Sequence, residues 1–245
     1  MAVRTDASSR FGKDHRWGMF WSLGLMWNIK NEPFLKDIEW LTGAQIALST
    51  GTSGNSEIPY YDHLALVSGG PKYNDEAGIY PKQSGNEELS WEQTWSNNIG
   101  LRLGFFNRVN LDIDFYHKKT TDMLMSVPES YAITGEGYRW DNIGAMVNRG
   151  VEVSVNSDII RTKDFTWNLN ANVSYNKNKL VELYNGVQEY VNSTTGLKFV
   201  VGHPVHEYFL NRYAGVNPAN GDALWYTKDG ELTTEFNEGH KVMTG

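Results

Sequence analysis

Strict alternation between apolar and polar residues is the feature that most constrains the fold of this chain. In the segment 167–175 the odd-numbered residues are apolar or aromatic, from Trp167 to Tyr175, whereas the even-numbered residues are three Asn and one Ser. A helix would scatter both sets around its circumference, but successive side chains of a strand point to opposite faces. The segment is therefore predicted to be a β-strand with one apolar face.

The same alternation recurs along the chain, for example in 99–105, 109–116 and 151–156, and no helical pattern of useful length competes with it. We predict an all-β fold, an antiparallel meander of about eight strands. The predicted strands span residues 17–29, 38–49, 89–105, 109–126, 139–160, 165–177, 205–215 and 222–228.

The connections between these strands alternate in length. Those at 30–37, 106–108, 161–164 and 216–221 are short, whereas those at 50–88, 127–138 and 178–204 are long. Transmembrane β-barrels have short periplasmic turns and longer extracellular loops, which produces this parity. A soluble β-sandwich shows the same residue alternation but has no reason to keep the parity. The pattern therefore favours part of a transmembrane β-barrel, with a soluble carbohydrate-binding β-sandwich as the alternative.

Composition agrees with this interpretation and argues against several kinds of partner and site. The chain has 9 Trp and 13 Tyr, which suit pleated sheets and membrane interfaces. The net charge of −7 and the lack of a basic patch argue against nucleic acid as a partner. The absence of cysteine excludes disulfides and Cys-ligated metals, and no cofactor is expected.

The first ten residues lack the apolar core of a signal peptide, and no apolar run reaches the ~18 residues of a transmembrane helix. The expectation is that residues 1–245 are a fragment, one partial β-barrel domain with its signal upstream and with strands missing at both ends. Outer-membrane localisation follows from that expectation.

The motifs resemble those of the SusC/RagA family of TonB-linked outer-membrane proteins, in collinear order along nearly the whole chain. The stretches that carry the resemblance are 4–12 with 17–27 and 31–34; 89–101 with 106–111 and 115–124; 142–152; and 201–204 with 214–222 and Trp225-Tyr226.

The resemblance implies the C-terminal half of a barrel of about 22 strands that holds a plug domain, with plug and signal peptide absent from this chain. It implies import of glycans or peptides, a SusD-like surface lipoprotein as partner, energy from the TonB complex, and contact with outer-membrane lipid. The family motifs match strand and turn determinants, so they assign no ligand-binding residue.

Several residue groups could suggest chemistry, but each has a simpler interpretation. His203 and His206 would face opposite sides of a strand, so no metal site is predicted. Asp112 and Asp114 continue a polar row and are expected to be solvated. The segment 216–222 lacks the ligands of an EF-hand and is predicted to be a turn. With no readable nucleophile and base, the chain is not predicted to be an enzyme.

Aromatic residues in the long connections are the remaining candidates for ligand contact. If those connections are extracellular, the rings could stack on an oligosaccharide or peptide, or could pack loop against loop or against the lipoprotein. The candidates are Tyr60, Tyr61, Tyr73, Tyr80, Tyr131, Tyr138 and Trp140.

Overall fold

The structure is a computed structural model that describes residues 1–70, 72, 74–128, 138–192, 196–205 and 207–244. Its regular structure is almost entirely β, with three short 3₁₀ helices at Ile29–Asn31, Tyr184–Gly186 and Glu238–His240. In these residues no helix is long and apolar enough to cross a membrane. The strands are β1 Ala2–Ala7, β2 Trp17–Trp27, β3 Leu41–Asn55, β4 Leu66–Gly69, β5 Ile79–Gln83, β6 Glu92–Phe105, β7 Val109–Thr121, β8 Leu124–Pro128, β9 Tyr138–Asn142, β10 Ala145–Arg161, β11 Thr166–Glu182, β12 Glu189–Asn192, β13 Leu197–Val200, β14 Glu207–Leu210, β15 Arg212–Val216, β16 Ala223–Tyr226, β17 Leu232–Thr233 and β18 Val242–Thr244.

The chain divides into two compact units, and the first, Met1–Lys177, is built on one seven-stranded sheet. The strand order is β1-β2-β3-β6-β7-β10-β11, and the short hairpins β4–β5 and β8–β9 lie within the connections. From β2 onward the strands of this sheet have 11 to 17 residues. A tilted strand needs about 9–11 residues to cross a bilayer, so each of these strands is long enough.

The strand register gives the sheet two chemically different faces. One row runs Leu25, Leu48, Ile99, Phe115, Val151 across five neighbouring strands. The adjacent row on the other side of the sheet runs Gly24, Ser49, Asn98, Tyr116, Gly150. We call these sides the apolar face and the polar face. The predicted alternation is therefore carried consistently from strand to strand, as period-two side-chain geometry requires.

Among the described residues of the first unit, none outside the sheet covers the apolar face. Trp17, Met19 and Leu25 of β2 are 74%, 69% and 62% exposed, and Val173 of β11 is 68% exposed. In a β-sandwich this face would be packed against a second sheet. Soluble monomers rarely leave an apolar area of this extent open to water, so the face requires a nonaqueous neighbour.

From β3 onward the connection lengths alternate as predicted. The connections 106–108 and 162–165, from β6 to β7 and from β10 to β11, have three and four residues, whereas 56–91 and 122–144 are far longer. The 13-residue connection 28–40 lies at the same end of the sheet as the two short ones, and the nine-residue connection 8–16 lies at the end of the long ones, because the strands are antiparallel.

The turn 106–108 is as tight as the sequence predicted. Phe106 and Asn107 both have positive φ, at 55° and 53°, and the Arg108 amide donates to the Phe105 carbonyl over 2.9 Å. Two consecutive residues with positive φ give a turn whose twist matches that of the flanking strands.

Several predicted segments need correction in their boundaries. The segments 109–126 and 139–160 are each divided in two, at Asp122 with a φ of 53° and at Gly144 with a φ of 92°. Both residues place the chain in the left-handed region, where a strand cannot continue. The segment 205–215 is likewise two strands, β14 and β15.

The second unit, Asn178–Gly245, contains a four-stranded sheet of order β12-β13-β14-β18 and a three-stranded sheet of order β15-β16-β17. Leu180 and Leu183 are its most buried apolar side chains, at 0% and 2% exposure. The predicted turn at 216–221 joins β15 to β16, and the Asn217 amide donates to the Asp222 carbonyl over 2.8 Å.

Candidate functional site

The described parts of three connections pack together at one end of the sheet, and we call this assembly the loop cluster (the described residues of 8–16, 56–91 and 122–144). Its centre contains Phe11, Ile58 and Leu89, which are 0%, 3% and 0% exposed, and each comes from the first or second of these connections. Trp91 and Trp140 pack against this centre. Burial of these large apolar side chains gives the cluster its own hydrophobic core.

A series of contacting aromatic rings joins the loop cluster to the sheet. The Trp91 ring makes edge-to-face contacts with Phe11 and Phe20, at centroid distances of 5.6 Å and 5.4 Å. Phe20 belongs to β2, points to the polar face and is 3% exposed. A Cβ on Gly54 would lie only 2.1 Å from the Phe20 ring, so glycine at this position makes room for the ring.

Asn142 holds the second and third connections together through its amide group. Its side-chain oxygen accepts from the Ser90 amide over 2.7 Å, and its nitrogen donates to the carbonyls of Ser90 and Asp122 over 2.9 Å and 3.0 Å. The side-chain nitrogen of Asn86 donates two further hydrogen bonds, to the carbonyl of Trp140 and to the carboxylate of Asp141. Apart from the bond to Asp122, these hydrogen bonds join residues that are more than fifty positions apart in sequence.

Replacing Asn142 by alanine is expected to loosen the contact between these two connections. The loss leaves the Ser90 amide and carbonyl without side-chain partners, which costs about 1–3 kcal/mol in a partly buried position. Hydrogen exchange at the Ser90 amide should then be roughly 5- to 150-fold faster, the equivalent of that free energy at RT of ~0.59 kcal/mol. The matched control is Asn172→Ala, which removes an exposed amide on β11 and should leave exchange at Ser90 unchanged.

Two of the candidate aromatic residues lie on the outside of the loop cluster. Tyr60 is 68% exposed and Tyr61 is 63% exposed, although Ile58, two residues away from Tyr60, is fully packed. The Arg10 guanidinium lies 4.8 Å from the centroid of the Tyr60 ring, and the same guanidinium donates to the Ser56 carbonyl over 3.1 Å. Tyr60 is thus held in place while one side of its ring stays accessible, a geometry suited to stacking on a ligand.

The other candidates are placed differently. Tyr80 lies in β5, 47% exposed, with its ring against Gly70. Trp140 lies in β9 and is half-buried against the core of the loop cluster, which matches the loop-packing role that we gave as an alternative. Tyr73 and Tyr131 lie outside the described residues, as does the side chain of Tyr138 at the start of β9.

The polar face carries an ion-pair network that the sequence did not predict. Arg102 Nε lies 3.2 Å from Asp112 Oδ1, and Arg102 Nη2 lies 2.8 Å from Asp114 Oδ2. The two carboxylates were predicted to be solvated in a polar row, and all three side chains are between a third and two-fifths exposed. Arg102 and Asp112 also line a polar groove of about 690 Å³ near the short-turn end of the sheet.

Outside the first unit, His203 lies 3.2 Å from a carboxylate oxygen of Glu207, and His206 lies outside the described residues. Within the described part of the chain, no three His, Asp or Glu side chains are grouped closely enough to hold a metal ion.

Similarity to known proteins extends over almost the whole chain. Residues 1–240 match the family described as TonB dependent receptor-like, beta-barrel. The chain is 40% identical over 197 residues to TonB-dependent receptor SusC of Bacteroides thetaiotaomicron and 39% identical over 183 residues to TonB-dependent receptor P39 of Formosa agariphila. These alignments cover 75% and 74% of the chain but only 19% and 18% of the two relatives, so the chain spans about a fifth of their length.

Solved structures show the same fold. The RagAB peptide transporter and the RagAB peptide importer in its open-open state match with TM-scores of 0.85 and 0.84, each at 36% sequence identity. Both matches cover 99% of this chain and 27% of the solved chain. The expected resemblance is confirmed: the chain belongs to the TonB-dependent receptor-like β-barrel family, and its sheet is part of an outer-membrane β-barrel.

Proposed function

We propose that this chain forms part of the wall and of the extracellular loops of an importer for oligosaccharides or peptides, driven through TonB and working with a SusD-like surface lipoprotein. The observation that carries the proposal is the loop cluster, which presents exposed Tyr60 and Tyr61 at one end of a two-faced sheet. Because the chain spans about a fifth of its curated relatives, residues 1–245 are proposed as one part of a larger barrel domain.

The two faces of the sheet support this role. In an outer-membrane barrel the apolar side faces lipid and the polar side faces the lumen. The polar face here carries Arg102 with its two acidic partners and rows of Asn and Ser, which suits a wet passage. The long connections then lie on the extracellular side, where a cargo molecule and a surface lipoprotein would arrive.

Peptide cargo is favoured by the structural neighbours, which are described as a peptide transporter and a peptide importer. Oligosaccharide cargo would use the same exposed tyrosine rings, because aromatic faces also stack on sugars. The test is uptake by cells that lack the gene, with labelled oligopeptides and labelled oligosaccharides offered separately. Uptake of one class should fall to background, return with the gene on a plasmid, and stop when the proton gradient is dissipated. Unchanged uptake of both classes in the deletion strain would contradict the proposal.

The double substitution Tyr60→Ala with Tyr61→Ala is expected to weaken cargo uptake without lowering the amount of folded protein. Each lost ring contact is worth about 0.5–1.5 kcal/mol, so the half-saturating cargo concentration should rise about 5- to 150-fold. Phe165→Ala, in the short turn at the other end of the sheet, removes a ring that is 59% exposed and serves as the matched control. An equal effect of the control, or no effect of the double variant, would remove these two residues from the site.

A further inference from the structure

The apolar face changes character near the end of the sheet that carries the long connections. Arg149 of β10 lies directly opposite His117 of β7 in the strand register, and both side chains are exposed. Lys177 of β11 is also exposed and lies with them along one groove. These three residues form what we call the basic row. It lies where the apolar residues of this face end, toward the long connections.

The groove beneath the basic row has a volume of about 480 Å³, which is within the ~300–1,000 Å³ of ligand pockets. Its floor is almost entirely apolar. The apolar residues that line it are Ile99, Phe115, Val151 and Tyr175. Ile99, Phe115 and Tyr175 are 53%, 52% and 65% exposed, so the groove opens directly toward the surroundings of the sheet. An apolar floor capped by cations is complementary to an amphiphile with an anionic headgroup.

Within the described strands of this face, no carboxylate neutralises the basic row. The odd-numbered residues of β6, β7, β10 and the part of β11 up to Lys177 contain no Asp or Glu. In the described part of the chain, His117, Arg149 and Lys177 form no ion pair, whereas Arg102 on the polar face is paired with Asp112 and Asp114. Cations beside a bilayer are retained when their long side chains reach the headgroup level, where anionic groups are available.

Two neighbouring residues place the basic row at that level. Lys119 is exposed one further step along β7 and lies opposite Trp95, which is 50% exposed. Tryptophan is enriched where a membrane meets water, and lysine reaches outward from the same depth. The transition from apolar residues to cations and tryptophan thus coincides with the expected upper edge of the hydrocarbon layer.

We propose that the basic row and its groove bind an outer-leaflet lipid whose headgroup carries phosphate, with an acyl chain in the groove and the phosphate between Arg149, His117 and Lys177. Arginine recognises phosphate through two parallel hydrogen bonds, and lysine adds a point charge. The site is on the outside of the barrel wall and is therefore separate from the proposed path of the cargo. It would anchor the wall to its own leaflet.

The test measures lipid binding to the protein expressed from its own gene and extracted from the outer membrane in a neutral detergent. Native mass spectrometry compares dioleoylphosphatidic acid with dioleoylglycerol, which has the same chains without the phosphate, and a parallel titration uses inorganic phosphate alone. We expect saturable binding of phosphatidic acid at least about tenfold tighter than that of dioleoylglycerol, and no saturable binding of inorganic phosphate at millimolar concentration. Equal binding of the two lipids, or binding of inorganic phosphate as tight as that of phosphatidic acid, would overturn the proposal.

Substitutions then assign the binding to the basic row. Arg149→Gln with Lys177→Gln is expected to weaken phosphatidic acid binding at least about tenfold, whereas Lys163→Gln, in the short turn at the other end of the sheet, should leave it unchanged. Arg149→Lys with Lys177→Arg keeps both charges and should retain binding, so it remains informative if the neutral variant fails to assemble. Undiminished binding by the assembled neutral variant, or lost binding by the charge-conserving variant, would contradict the assignment.

Discussion

Val153→Arg is expected to destabilise the folded protein in a bilayer by about 2–4 kcal/mol, the cost of a cation on the lipid side of a barrel near the bilayer midplane. Val153 lies near the middle of β10, on the apolar face, opposite Ile113. Ser154→Arg, one residue further, places the same side chain on the polar face opposite Asp112 and is expected to change stability by no more than about 0.5 kcal/mol.

The two variants introduce the same side chain at adjacent positions, so they differ chiefly in the face of the sheet that carries the arginine. The measurement is the fraction of protein that keeps its heat-modifiable, folded mobility on a gel after incubation in increasing urea, with both variants reconstituted in the same lipid. We expect the folded fraction to fall at lower urea for Val153→Arg and to stay unchanged for Ser154→Arg. Equal losses for the two variants, or a larger loss for Ser154→Arg, would mean that the apolar face does not contact lipid.

Phe11→Ala is expected to remove about 3–5 kcal/mol from the stability of the loop cluster, because a fully buried aromatic side chain is lost and a cavity is left. Phe11 is 0% exposed and contacts Trp91, which in turn contacts Phe20 of the sheet. The strands are held by their own ladder of hydrogen bonds, so we expect local opening of the long connections and an intact sheet.

Limited proteolysis of intact cells measures this opening from outside. Phe11→Ala should speed cleavage within 56–91 by a factor of at least about 100, because a free-energy loss of this size raises the open population more than a hundredfold. Phe34→Ala is the control, since Phe34 is 66% exposed in a connection at the opposite end of the sheet. Protection equal to that of the unmodified protein would show that the cluster does not depend on this core.

The parts of the fold that follow from local pattern could be predicted from sequence. Alternation in 167–175 and 151–156 fixed both the strand and the face of each residue, since the period of two is a property of the chain itself. Once the strands are placed, the lengths of the connections between them follow. The turn at Phe106 and Asn107 is where the sequence predicts it.

The parts that depend on distant partners could not be predicted. β1 has no clear apolar stripe, and it is a strand because it pairs with β2 over six residues. β3 continues through Gly51 and Gly54 to Asn55, inside the predicted connection 50–88, because β6 supplies a pairing partner for every residue from 43 to 55. Tertiary pairing overrides weak local preference in such segments.

The placement of some candidate residues could be predicted from sequence, and their contact with cargo stays a prediction. The sequence singled out Tyr60 and Tyr61 by type and by their place in a long connection, and the structure leaves both exposed. It did not distinguish them from Trp140, which packs against Phe11 and its neighbours. Residue alternation and loop length carry no information about which aromatic ring of a loop packs against another loop. The buried residues of the loop cluster were therefore found only from the structure.

Single cysteine substitutions at each position from 151 to 156 test the central claim most directly, namely that this sheet is the wall of a membrane barrel with one face toward lipid. The chain contains no cysteine, and any cysteine elsewhere in the gene product is first replaced by serine. Each cysteine carries a spin label, and its collision rates with oxygen, which concentrates in lipid, and with a water-soluble nickel chelate are measured in a reconstituted bilayer. We predict high oxygen and low nickel accessibility at 151, 153 and 155, and no such lipid signature at 152, 154 and 156. Uniform accessibility along the strand, or a lipid signature at the even positions, would contradict the account.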